Sequence, residues 1–110
     1  MSAFFESEII KEALDDINKL QEDVYGKLVH FHMMTYDEQI DHVSKLTELL
    51  DKQRIMYTRL SLSDDPEAVI MKESLNKTVT MMGYPEGTDI AVLFKNMHAT
   101  IDALKEFLEA

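Results

Sequence analysis

The chain has 110 residues, 45% hydrophobic and 8% aromatic, which is the make-up of a single globular domain over 1–110 rather than of a disordered segment. A net charge of −10 argues against nucleic acid or an anionic membrane surface as a partner, because both repel it. Cysteine is absent, which removes disulfides, thiol nucleophiles and thiolate metal sites.

The opening Met1-Ser2-Ala3-Phe4-Phe5-Glu6 lacks the positive start and long apolar core of a signal peptide. No apolar run approaches ~20 residues, so no membrane span is expected, and the expected location is the cytoplasm. A first helix is predicted over about 2–28. Ile10, Leu14, Ile17, Leu20, Val24, Leu28 and Phe31 recur at threes and fours, the period of one helix face. From Leu28 to Tyr36 the pattern loosens: Val29, Phe31 and Met33 alternate with His30 and His32, so this stretch reads as a frayed end and loop or as a short extended segment.

Thr35-Tyr36-Asp37-Glu38 has the capping-box spacing and opens a second helix over about 36–62. Its inward positions are Ile40, Val43, Leu46 or Thr47, Leu50, Tyr57 and Leu60. Asp65-Pro66-Glu67 is a strong helix start, with an N-cap, a pre-set φ and an acid in the first turn. The third helix, about 66–82, turns Met71, Leu75, Val79 and Met82 inward. Gly83 stands where a left-handed C-cap glycine belongs, and Pro85 forbids continuation. Thr88 or Asp89 caps a fourth helix over about 89–109, in which Ile90, Phe94, Met97, Ile101, Leu104 and Leu108 form the cleanest apolar stripe in the chain.

No hairpin dipeptide and no β-branched run occurs. The expected fold is all-α: four helices in antiparallel hairpins, bundle-like. At 1.5 Å per residue the first two helices reach ~39 Å and the last two ~25 and ~31 Å. The shorter pair cannot cover the longer one, so a homodimer or higher oligomer is expected.

Chemistry is sparse. None of His30, His32, His42 and His98 follows an acid by three residues, as the carboxylate–histidine sites of helical bundles require. Glu38 and His42, and His98 and Asp102, lie one turn apart, a common solvated contact. No nucleophile elbow or phosphate-binding loop is present. Asp15–Asp16 falls on an exposed helix face and Asp64–Asp65 at a cap, and adjacent helical residues point in different directions, so neither pair forms a dyad. The chain is expected to be non-enzymatic, with no cofactor and no metal ligands. Both arginines, Arg54 and Arg59, fall within six residues around Tyr57, with Lys52 nearby. Arginine and tyrosine are typical of binding hot spots, so Arg54, Tyr57, Arg59 and the turn residue Tyr84 are the candidate partner contacts. In the Met81–Asp89 stretch, Gly83, Pro85, Gly87 and Asp89 are explained by backbone geometry, whereas Tyr84 is not required by the turn.

Two blocks, Arg54-Ile-Met-Tyr-Thr-Arg-Leu-Ser-Leu-Ser-Asp-Asp-Pro-Glu-Ala68 and Met81-Met-Gly-Tyr-Pro-Glu-Gly-Thr-Asp89, together with the opening Met1–Ile9, resemble a small helical family of unknown function found in cyanobacteria and their phages. The resemblance spans essentially the whole chain. It implies a cytoplasmic protein of a cyanobacterial cell, encoded by host or phage, and it carries over no activity and no ligand residues. The expected function is a regulatory interaction protein docking on a host protein. Two alternatives remain: a small bundle binding a metal or small ligand near His30, His32 or His42, and a structural assembly component.

Overall fold

Side-chain caps fix where three of the long helices begin. The structure, a computed structural model, describes residues 3–110. It holds α1 (Ala3–Glu6), α2 (Glu8–Leu28), a 3-10 turn (Phe31–Met33), α3 (Tyr36–Leu62), α4 (Pro66–Met81) and α5 (Ile90–Glu109). Among the described residues there is no strand, and the fold is all-α as expected. The Thr35 hydroxyl accepts from the Glu38 amide at 3.2 Å and donates to Glu38 Oε1 at 3.1 Å, so the glutamate returns to the hydroxyl rather than to the Thr35 amide. Asp65 Oδ1 accepts from the Glu67 amide at 3.0 Å, and Asp89, not Thr88, caps α5 by accepting from Ala91 at 2.9 Å.

The end of α4 is a paired hydrogen-bond stop. Gly83, at φ 101°, donates its N–H to Thr80 at 3.0 Å, and Tyr84 donates to Val79 at 3.4 Å. The Tyr84 ring closes the motif by packing on the core cluster that contains Val79. Tyr84 is therefore part of the stop, contrary to the expectation that the turn does not require it.

The single first helix expected over 2–28 is divided. Residue 2 lies outside the described residues, and Ser7 is extended at φ −62° and ψ 131°, separating α1 from α2. The cause is tertiary. The Phe4 amide donates to Asp65 Oδ2 at 3.1 Å, so one carboxylate caps α4 and anchors the first turn of the chain beside it.

Every long helix packs on α3. Asp23 of α2 meets Lys45 at 3.4 Å, and Ala13 and Ile17 lie beside Met56 and Arg59, so α2 runs antiparallel to α3. Asp89 meets Tyr57 and His98 meets Asp51 at 3.8 Å, which sets α5 antiparallel as well. Consequently α3 buries two seams. His42, Leu49 and Met56 face α2, with Leu49 and Met56 packed around Ile17 and Val24. Val43, Leu50 and Tyr57 form the second, in which Leu50 and Tyr57 join Val79, Ile90 and Phe94. Spacings of seven keep each seam on one side of a helix. In α4 the inward residues are Ala68 and Val79, with Leu75 partly buried; Met71 and Met82, expected inside, are 44% and 57% exposed. Ala68 is fully buried, and its small side chain brings that end of α4 close to its neighbours.

The outcome is a flattened body of 47 × 34 × 19 Å. Its radius of gyration is 15.8 Å, against about 13 Å for a compact domain of this length.

Candidate functional site

The two arginines do not form one patch. Five residues apart on a helix is a rotation of about 140°, so they leave α3 on different sides. Arg54 is exposed at the lip of a groove of about 430 Å³ between α3 and α5, floored by Leu50 and Phe94 and edged by Lys95, His98 and Asp51. Arg59 is exposed in a second, smaller groove of about 170 Å³ between α2 and α3, beside Asp16, Ile17 and Met56. Among the described residues neither guanidinium has a carboxylate within 4.0 Å.

Tyr57 leaves the candidate surface altogether. It is 6% exposed, its ring lies 6.1 Å from that of Phe94, and its hydroxyl donates to Asp89 Oδ1 at 2.8 Å. Burial, and then the Asp89 carboxylate, push its hydroxyl pKa up to about 12. Asp89 thus caps α5 and clamps α5 to α3 with the same oxygen. Tyr84 is half-buried, and its hydroxyl accepts from Asn96 Nδ2 at 3.1 Å. Of the four candidate contacts, the fold uses the two tyrosines, and the two arginines are exposed with no carboxylate within 4.0 Å among the described residues.

The α3–α5 groove brings in residues that were not among the candidate contacts, although His98 and Asp102 were expected to meet one turn apart and do. Ala91, Lys95, His98 and Asp102 recur at fours and threes on α5, one step round the helix from the apolar Ile90 and Phe94. That spacing was the available signal. His98 Nδ1 lies 3.1 Å from Asp102 Oδ2 and its Nε2 lies 3.8 Å from Asp51, so the ring bridges the two helices at the groove edge. The groove therefore offers an apolar floor, two cations on opposite lips and a histidine held between carboxylates.

His42 departs most from expectation. Its spacing from Glu38 suggested a solvated contact, yet it is 2% exposed and neither ring nitrogen has a hydrogen-bond partner. Phe31 of the 3-10 turn covers it at 5.5 Å between ring centroids. Beside it an ion-pair chain links the helices: Lys27 to Asp23 at 3.1 Å, Asp23 to Lys45 at 3.4 Å, and Lys45 to Asp41 at 3.5 Å. Burial, followed by the Lys27 charge, lowers the His42 pKa from its ordinary value. The hydrogen bond from Lys27 lowers that of Asp23, and the bond to Asp23 raises that of Lys45. Among the described residues no three histidine or acidic side chains converge as a metal site would require, and His30 and His32 are exposed. No helix there is long and apolar enough to cross a membrane.

These features define an all-α domain built on one central helix, with a half-apolar groove along one flank. Within that class, the chain belongs to the family described as Domain of unknown function (DUF1825), whose model matches residues 2–108. The match includes both blocks, 54–68 and 81–89, that carried the resemblance. No curated protein and no solved structure matches the chain.

Proposed function

We propose that this chain is a non-enzymatic interaction protein that docks on another protein through the α3–α5 groove. The observation that carries the reading is Arg54, exposed at the lip of an apolar-floored groove of about 430 Å³ with no carboxylate within 4.0 Å, in a chain with 21 acids. An arginine left unpaired beside so many carboxylates keeps its planar donor set for an incoming carboxylate. Leu50 and Phe94 would take an apolar side chain of the same segment, and Lys95 a second acid. A helix with an apolar ridge and flanking acids fits that arrangement. The resemblance to proteins of cyanobacteria and their phages supplies the setting: a cytoplasmic protein, encoded by host or phage, that modulates a host protein.

The test is affinity capture from a cyanobacterial lysate, followed by titration of the purified captured protein. The double variant Arg54→Ala/Lys95→Ala is expected to lose ~10-fold or more in affinity. Arg59→Ala, in the other groove, is expected to bind as the wild type does. Equal affinity of the double variant and the wild type would overturn the groove reading.

A further inference from the structure

The tip of the α2–α3 hairpin carries apolar surface that the rest of the chain does not cover. Tyr25, Leu28, Val29, Met33 and Tyr36 are 56%, 52%, 70%, 74% and 53% exposed within twelve residues. The tip is a built corner. His30 donates to Lys27 at 3.1 Å, Met33 to His30 at 2.9 Å and Met34 to Phe31 at 3.1 Å. The Gln39 side-chain Nε2 donates to the Phe31 carbonyl at 3.0 Å, and Phe31 turns inward onto His42. The exposed side chains therefore project from a fixed backbone, which lowers the entropy cost of covering them. α1 and the start of α4 sit at the opposite end of the hairpin, where Phe4 meets Asp65.

We propose that this corner is a self-association surface, on which a second copy of the chain docks corner to corner about a two-fold axis. Charge selects that occupant. A chain at −10 repels its own copies over most of its surface, yet no acid lies between Asp23 and Asp37. The one fixed charge in that stretch, Lys27, is already paired with Asp23 at 3.1 Å, so closing the contact strands no lone charge from within it, and the exposed Asp37 and Glu38 stand at its border. Tyrosine and methionine are the residue types enriched in interface cores. The chain exposes 7508 Å², where a monomer of 12.7 kDa exposes about 6,200 Å², so the flattened body leaves surface for a second copy to cover. The inference is independent of the α3–α5 groove and needs no partner other than the chain itself.

Sedimentation velocity or light scattering on the full chain over ~5–100 μM, bracketing the micromolar affinities of modest interfaces, tests it. The wild type is expected to show twice the chain mass. Val29→Glu/Met33→Glu is expected to weaken association ~10-fold or more, because both side chains are exposed and would bring like charges together across the axis. Its far-UV circular dichroism and melting temperature should stay those of the wild type, which separates lost association from lost folding. Met81→Glu, on a side chain 86% exposed at the far end of α4, is expected to stay dimeric. A monomeric wild type at the highest concentration overturns the proposal, as does a monomeric wild type that instead floats with phosphatidylcholine vesicles. A Val29→Glu/Met33→Glu variant that remains dimeric, or a Met81→Glu variant that dissociates, overturns it too.

Discussion

Asp65 and Asp89 each serve two distant segments with one carboxylate. Both cap a helix, and each also takes a second donor: the Phe4 amide in one case and the Tyr57 hydroxyl in the other. Tyr57→Phe removes the second bond of Asp89 while keeping the ring in place. A hydrogen bond to a charged group contributes about 1.5–3 kcal/mol, so the variant should lose about that much in urea unfolding, with partner capture unchanged. His42 predicts the opposite direction. Its folded pKa lies below the ordinary value of 6.5, so as pH falls the unfolded chain takes up the proton first. Its contribution is therefore fully present above pH ~6.5 and is lost as pH falls toward the folded value. Asp23 and Lys27 on α2 and Asp41 and Lys45 on α3 bear on that ring. His42→Leu removes an imidazole whose two nitrogens are unpaired. It should be neutral or stabilising at pH 7.5, and its stability should fall less than that of the wild type between pH 7.5 and 5.5 in paired urea titrations.

At the scale of elements, the stop of α4 is the place most sensitive to a single atom. Gly83 sits at φ 101°, with open space where a Cβ would be. Gly83→Ala therefore introduces backbone strain rather than a clash, and about 1–2 kcal/mol should be lost in thermal or urea unfolding. This stop and the three helix starts were legible because they rest on local chemistry: a glycine, a proline and side chains that cap their own helix. What was not legible depends on distant partners. Ser7 reads as mid-helix until Phe4 is tied to Asp65. On α4, Leu75 and Val79 were read correctly as inward, whereas Met71 and Met82 are exposed and Ala68 was missed, because methionines outweigh an alanine in any apolar pattern. On α3 the single apolar stripe included Val43, Leu50 and Tyr57 and, with Leu46, touched the α2 side, but it left out His42, Leu49 and Met56, because one stripe serves one partner and α3 has two. The arginine cluster failed as a patch for a geometric reason, since nearness in sequence is not nearness around a helix. The Arg54 groove needed α5 in place: the spacing of Ala91, Lys95, His98 and Asp102 marks one edge of it, but not that Arg54 stands on the other.

Over the whole molecule, the dominant global quantity is charge. With 21 acids against 11 bases on a flattened body, like charges crowd the surface. Raising NaCl from ~0.05 to ~0.5 M should raise the melting temperature by a few degrees, since the Debye length shrinks several-fold and self-repulsion is screened. A melting temperature that falls with salt would mean that the Lys27–Asp23–Lys45–Asp41 chain matters more than the repulsion. The same acids have a second consequence, which follows from the two seams of α3. Because the seams occupy adjacent residues, turning α3 by one position, about 100°, would still offer one seam to a neighbour. In one direction that slip would press Asp41 and Glu48 against α2; in the other it would press Asp51 against α5. Either slip would also part Tyr57 from Asp89. Charged residues bordering both seams thus act as keys to orientation, and the acidity that crowds the outer surface also holds the central helix at one angle.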